Sequence, residues 1–350
     1  NEMKLNSVLV FSGDGGTGKT AIVKELLSSY QSCISYVFKA NEFNVSSLNE
    51  FFNKWGDVTL LDFLNEHQNV PCLVVIDSAE KLSDIDDLSP FFELFEALLK
   101  HKWRVIFTTR NWYYSDLMYL LNEQFKCNPF RIEIPLLDVE ELKRISREHE
   151  FELPSNCKLI DLIRTPYYLQ VYLDNYQDIG CDQDYKGFLD NLWMQKVMRS
   201  QYKKDGMHIL RSECLLQIVK DKAESGCFYI DPNSYDKKVI ELLYADEVLG
   251  YDVSFSCYFI AHDVIEELAL RKLLDKEYAR KCSFEGFFER IGCSLTIRRA
   301  FRAWLLNKIE SEPEQVQLMI YAILSQNFHS ALWRDESLIS ILTSTKANEF

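Results

Sequence analysis

Residues 7–20 read Ser-Val-Leu-Val-Phe-Ser-Gly-Asp-Gly-Gly-Thr-Gly-Lys-Thr, and no other stretch restricts the fold so tightly. The short apolar run Val8 to Phe11 predicts a buried strand. It breaks into Gly13-Asp14-Gly15-Gly16-Thr17-Gly18-Lys19-Thr20, which fits G-x-x-x-x-G-K-[ST] at every fixed position. Ile22, Val23, Leu26, Leu27 and Tyr30 then recur on one face of a predicted helix. The glycines let main-chain N–H groups turn inward around a phosphate, which a Cβ would obstruct. Lys19 stands at a helix start, where the dipole disfavours a cation unless an anion is bound. Thr20 offers a hydroxyl to Mg²⁺. Strand, loop and helix in this register predict a nucleoside triphosphate site. Its phosphates would lie among Gly13, Gly15, Gly16, Thr17, Gly18, Lys19 and Thr20.

Further strands and helices alternate behind this segment. Residues 34–38 predict a second strand, and Phe51, Phe52 and Trp55, then Leu60, Leu61, Phe63 and Leu64, fall at helical spacing. Residues 72–77 form a nearly continuous apolar run that ends in Asp77, as a parallel strand covered on both faces requires. Ser89 is expected to cap a helix that opens with Pro90. Residues 104–107 and 131–134 predict the fourth and fifth strands. This alternation predicts an α/β fold, a P-loop NTPase parallel sheet with helices on both faces.

From Asp138, whose spacing to Glu141 suits a capping box for a helix over 139–149, the periodicity is almost wholly helical. The exception lies at 227–230 and 253–260, where two short strands flank a helix near 237–244. Helix, helix, strand, helix and hairpin is the element order of a winged helix, and a long helix over 263–274 follows it. Helices are expected at 297–309, 313–325 and 337–342, as at the start of a helical array. The expected divisions are a nucleotide-binding domain over 1–137, a small helical domain over 138–184, a winged helix over 185–282 and a helical extension over 283–350.

A length of 350 residues suits two or three domains with a substantial core. Fifty-three acidic against 39 basic residues give a net charge of −14, which weighs against nucleic acid as the main partner. The longest apolar runs fall far short of the roughly 20 residues a membrane span needs, and no signal peptide is evident. Ten cysteines are scattered without a C-x-x-C pair, as expected for reduced, mostly buried thiols of a cytoplasmic protein without zinc. Asn1 stands almost directly on the first strand, as in a piece excised from a longer polypeptide.

Asp77, at the end of the apolar strand after the P-loop, is placed to hold Mg²⁺. Glu80, three residues on, is placed to polarise a water that attacks the γ-phosphate. Arg110 ends the fourth strand. Ligands of open parallel sheets sit at the carboxyl ends of strands, so its guanidinium could point at that phosphate or pair with a surface carboxylate.

The segments Gly13–Thr20, Leu73-Val-Val-Ile-Asp77-Ser-Ala-Glu80, Ile106-Phe-Thr-Thr-Arg110 and Arg164-Thr-Pro166-Tyr-Tyr-Leu169 together resemble the STAND class of P-loop ATPases. That class includes NACHT and NB-ARC proteins and the bacterial antiviral Avs (AVAST) ATPases. The segment Phe259-Ile-Ala-His262-Asp-Val-Ile-Glu-Glu-Leu-Ala looks most like the Avs and related bacterial versions. The resemblance covers about residues 1–280 and implies that Pro166 lies against the adenine and that His262 of a winged helix touches the β-phosphate. The chain departs from the family at Thr165, where a small residue is frequent, and after Asp77, where Glu80 is the one later acidic residue. The second departure leaves the catalytic base in doubt and implies slow hydrolysis.

The resemblance implies an ATP-dependent switch in bacterial antiphage defence, with ATP/ADP and Mg²⁺ as cofactors and a homo-oligomer on activation. A C-terminal region beyond this segment would sense a ligand such as a phage protein, and an N-terminal effector would act. Two alternatives stand beside it. One is an AAA-type ATPase or transcriptional regulator acting on DNA. The other is a phosphotransferase, since the glycine loop also resembles that of nucleotide kinases such as thymidylate kinase. Those are compact single domains with an arginine-rich lid, and this sequence shows no such lid.

Overall fold

The computed structural model describes residues 7–29, 33–66, 70–176, 184–199, 203, 205–252, 256–280, 283–325 and 330–349. The chain divides into two compact units, Asn1–Leu192 and Trp193–Phe350.

In the first unit the elements run β1 (Val8–Ser12), α1 (Lys19–Ser29), β2 (Ile34–Lys39), α2 (Leu48–Phe52), α3 (Leu60–Asn65), β3 (Cys72–Asp77), α4 (Ser89–Lys100), β4 (Arg104–Thr109), α5 (Tyr114–Phe125) and β5 (Phe130–Glu133). Helices α6 (Val139–Glu148), α7 (Cys157–Ile163), α8 (Pro166–Asp174) and α9 (Tyr185–Trp193) follow. The strands form one parallel sheet in the order β2-β3-β4-β1-β5. Period-two alternation divides its side chains between two cores. Val8, Val10, Val74, Ile76, Val105 and Phe107 pack with Phe91, Leu94 and Phe95 of α4 and Leu117 and Leu121 of α5. Leu9, Phe11, Leu73, Val75 and Ile106 pack on the other face with Val23 of α1. Burial on both faces explains the continuous apolar runs, and the expected α/β architecture with a parallel sheet is what forms.

Some local expectations are corrected. On α1 only Val23 is fully buried; Leu26 and Leu27 pack half-buried against the same core, and Ile22 is exposed. Tyr30 lies outside the described residues. Ser89 is the first helical residue of α4 rather than its cap. Its N–H is taken by Asp87 Oδ1 at 2.9 Å, so the helix starts one residue early and Pro90 sits within its first turn. The capping box at α6 forms as expected, with Glu141 N donating to Asp138 Oδ1 at 2.7 Å and Asp138 N to Glu141 Oε2 at 2.8 Å. The thiols are less buried than expected: Cys72 is buried, whereas Cys157, Cys227 and Cys293 are exposed.

In the second unit a π-helical turn, Met194–Met198, precedes α10 (Met207–Ser225), α11 (Lys237–Ala245), the antiparallel pair β6 (Leu249–Asp252) and β7 (Cys257–Ile260), and α12 (Asp263–Ala279). Helices α13 (Phe284–Ile291), α14 (Leu295–Ser311), α15 (Pro313–Leu324) and α16 (Ala331–Thr343) complete it. Helix α12 packs on α10 and α14, and α14 on α16.

The strand expected at 227–230 does not form. Ile230 alone makes a bridge, to Tyr258. The next residues explain the stop: Asp231 caps a tight turn, Pro232–Ser234, and Pro232 has no N–H for a ladder. Of the strand expected at 253–260, residues 257–260 form β7, while 253–255 lie outside the described residues. Its partner β6 was expected only as an unplaced arm of the hairpin, since Gly250 and Asp252 are poor strand formers. Gly250 is required by packing, because a Cβ there would lie 2.4 Å from the Phe259 ring.

Candidate functional site

The carboxyl end of the sheet in the first unit gathers the polar side chains that the sequence singles out. After β1 the chain turns through Gly16 and Gly18 at φ 79° and 85°, the left-handed region that glycine adopts without strain. Gly13 is needed for a different reason. A Cβ there would lie 2.9 Å from Thr17 Oγ1 and 3.1 Å from the Ile134 carbonyl oxygen. Lys19 opens α1 and folds back over the loop, donating to the carbonyls of Gly13 at 2.9 Å and Asp14 at 2.8 Å. The Asp14 carbonyl also accepts from the Thr17 hydroxyl at 2.9 Å. The ammonium is thus held across the loop mouth by neutral acceptors, which an anion would displace.

Strand order decides what meets this loop. Because β4 lies between β1 and β3, Asp77 at the end of β3 is one strand away from the P-loop strand. Thr20 nevertheless reaches it, its hydroxyl donating to Asp77 Oδ1 at 3.0 Å. Thr108 fills the intervening position. Its hydroxyl donates to the same Oδ1 at 2.6 Å and accepts from Ser78 N at 2.9 Å, and the residue is 1% exposed. Ser78 turns the chain away from β3 at φ 58°, a left-handed position for a residue with a Cβ. Thr109, next in line, accepts from Gly13 N through its carbonyl at 3.2 Å.

Glu80 and Arg110, each expected to act on the γ-phosphate side, are partners of one another. Glu80 is 3% exposed, and its carboxylate accepts from Arg110 Nε and from the Arg110 main-chain N, both at 3.3 Å. A buried carboxylate needs such compensation. Arg110 therefore pairs with a carboxylate, as one of its two expected roles had it, but with an interior one in the site itself rather than one at the surface.

Pro166 begins α8, and the next residue ties that helix to the loop: Tyr167 N donates to the Gly16 carbonyl at 3.2 Å. Burial pushes the Tyr167 phenol up to about 12. His262 belongs to the second unit. It is exposed, lies two residues after the end of β7, and occupies the cap position of α12, where its carbonyl accepts from Ile265 N at 2.9 Å.

Sequence reading missed Thr108, Ser78, Asn111 and Arg131. Asn111 Nδ2 donates to Asp14 Oδ1 at 3.2 Å, and Arg131 Nη2 donates to Asn111 Oδ1 at 3.3 Å. Two signals were present. Threonines that end an otherwise apolar buried strand need partners, and an arginine in a four-residue strand must have a reason to be there.

The donor set suits Mg²⁺. A threonine hydroxyl and one carboxylate are hard oxygen ligands, and this ion is held by one or two carboxylates with substrate phosphates and water. Among the described residues no helix is long and apolar enough to cross a membrane.

No protein-family profile matches the chain, and no curated protein does. Solved structures give a distant likeness. AMPPCP-bound DnaA from Aquifex aeolicus is 15% identical over 93% of this chain and 88% of that one, with a TM-score of 0.38. The ORC2 protein of Aeropyrum pernix in ADPNP–ADP complexes is 13% identical over 77% and 89%, at 0.33. A structure concerned with katanin self-assembly is 16% identical over 75% and 71%, at 0.31. At this level the likeness gives no residue-by-residue correspondence.

Proposed function

We propose that the chain binds and slowly hydrolyses ATP, and that the nucleotide acts as a switch. The observation that carries this is the contact of Thr20 with Asp77 across the end of β4, beside a complete P-loop. On nucleotide binding Lys19 leaves the Gly13 and Asp14 carbonyls for the phosphates, while loop N–H groups surround them. Thr20 and Asp77 would hold Mg²⁺, which would supply positive charge against that developing on the phosphates. Thr108 keeps the Asp77 carboxylate aimed at the loop. Glu80 is the candidate base for the attacking water, with Arg110 fixing its carboxylate and offering positive charge to the γ-phosphate.

The finer reading is a STAND switch of bacterial antiphage defence, supported by the segments around Pro166 and His262 quoted above. The order α10, α11, β6–β7, α12 in the second unit agrees with a winged helix, and the division at 138–184, 185–282 and 283–350 goes with it. In this reading the ADP form is closed, with Pro166 against adenine and His262 on the β-phosphate, and ATP favours the homo-oligomer. Calorimetry with ADP and ATP, with light scattering, tests it. Lys19→Ala should abolish binding of both. His262→Ala should weaken ADP by roughly one to two orders of magnitude and ATP less. Unchanged affinities in Lys19→Ala would overturn the site, and in His262→Ala the switch. Salt-sensitive DNA binding, or transfer of phosphate to a small acceptor, would instead favour one of the two alternatives.

A further inference from the structure

We infer that Asn111 and Arg131 form a positioning relay that holds the Asp14 carboxylate aside from the phosphate cradle. The inference rests on the nucleotide-binding reading above. Asp14 is the second residue of the glycine loop, so its fixed negative charge sits within a structure that must accept a polyanion. Its main chain belongs to the cradle, with the carbonyl accepting from Lys19 Nζ and the Thr17 hydroxyl. Its side chain is steered elsewhere, Oδ1 accepting from Asn111 Nδ2 at 3.2 Å.

The orientation of Asn111 follows from donor chemistry. A guanidinium has only donors, so the amide oxygen of Asn111 must face Arg131 Nη2, 3.3 Å away, and the NH₂ must face Asp14. Arg131 is itself fixed from three directions. Its Nε donates to Ser12 Oγ at 2.9 Å, its guanidinium lies 4.2 Å from the Tyr114 ring centroid, and Glu133 stands 3.5 Å from Nη2. The edge strand β5 thus lends a positive charge, through one amide, to an acid on the loop next to β1. A guanidinium held in a planar, stacked and bonded setting is stiffer than a lysine would be. Without the relay the carboxylate can turn towards the phosphates and repel them.

The test is a double-mutant cycle read by ADP and ATP affinity. Asn111→Ala should weaken both by about tenfold, the scale of one hydrogen bond to a charged group. Asp14→Asn alone should bind as tightly as wild type or more so. The double variant Asp14→Asn/Asn111→Ala should fall within about twofold of Asp14→Asn. A residue that merely supported the fold would not be rescued by neutralising a second one. Arg131→Gln, read in the same way, covers the case in which Asn111→Ala misfolds. Wild-type affinity in Asn111→Ala, or an undiminished loss in the Asp14→Asn background, overturns the relay. Lys19→Ala separates the two levels. If it loses nucleotide while Asn111→Ala does not, only the relay falls. If Lys19→Ala binds normally, or wild type binds neither nucleotide, the reading beneath falls with it.

Discussion

Adjacent threonines at the end of β4 should respond in opposite directions to the same substitution. Thr108 and Thr109 are both buried, at 1% and 0% exposure. The Thr108 hydroxyl joins Asp77 Oδ1 to Ser78 N, whereas Thr109 Oγ1 is buried with no hydrogen-bond partner among the described residues. Valine keeps the branched shape of threonine and removes the hydroxyl. At 108 it deletes a bond to a carboxylate, worth about 1.5–3 kcal/mol, and strips the Ser78 N–H of its acceptor at a strained left-handed residue. Because Ser78 is only half-buried, water recovers part of that second loss, and a total of about 2–4 kcal/mol is expected. For a unit of this size that is a fall in Tm of roughly 4–16 °C. At 109 the same change removes an unsatisfied buried hydroxyl and should be neutral or stabilise by about 1 kcal/mol.

Thr108→Ser is the control, because it keeps both bonds and loses one methyl, at about 1 kcal/mol. Function should separate the variants as well. Removing a group that orients a metal-binding carboxylate commonly costs about 10–100-fold in metal affinity. Thr108→Val should therefore need correspondingly more Mg²⁺ for ATP binding, and Thr108→Ser and Thr109→Val should not. Thermal melts of the three variants, followed by ATP titrations across Mg²⁺ concentrations, supply both readings. If Thr108→Val melts and titrates like Thr109→Val, the bonding assigned to the end of β4 is wrong.

Glu80→Gln should keep Mg²⁺-dependent ATP binding and lower turnover by about 10²–10⁴-fold in a single-turnover assay, and unchanged turnover would reduce Glu80 to an anchor for Arg110. Stability should also have an alkaline limb. The phenol of Tyr167 is raised from 10.0 to about 12 by burial, so its contribution is intact below pH 10 and is lost as pH climbs towards 12. The loss is at most about 3 kcal/mol, and an unfolding series in which Tyr167→Phe declines in parallel with wild type would refute it. Gly250→Ala should destabilise the second unit by about 1–3 kcal/mol, because the added Cβ meets the Phe259 ring. Gly250→Ala/Phe259→Leu should recover much of that in denaturant melts, and no recovery would place the strain elsewhere.

The parts of the candidate site legible in the sequence are those in which a local segment carries its own reason. Residues 13–20 need their glycines and their lysine whatever surrounds them, and the apolar run into Asp77 announces a strand covered on both faces. The pairing of Arg110 with Glu80 was not legible. It depends on β4 lying beside β3, and nothing within either segment states that adjacency. Strand β6 was hidden for a similar reason, since Gly250 looks like a strand breaker until Phe259 is placed across from it. The opposite error, a strand at 227–230, came from weighing apolar residues above the proline that follows them.

The sheet order gives one strand end an unusual share of the work. With β4 between the P-loop strand and the strand of Asp77, any contact between the two must pass its carboxyl end. Four consecutive residues there divide between the neighbours in alternation. Thr108 bonds Asp77 and Ser78 on the β3 side, and the Thr109 carbonyl takes Gly13 N on the loop side. Arg110 returns to Glu80, and Asn111 returns to Asp14. A shift of the end of β4 by one residue would exchange these partners, placing a hydroxyl where the guanidinium must neutralise Glu80 and the arginine where Asn111 meets Asp14. Register at β4 is therefore held by chemistry at the site as well as by the apolar faces of Val105, Ile106 and Phe107. An insertion between Phe107 and Asn111 should for that reason abolish nucleotide binding even where the sheet still forms.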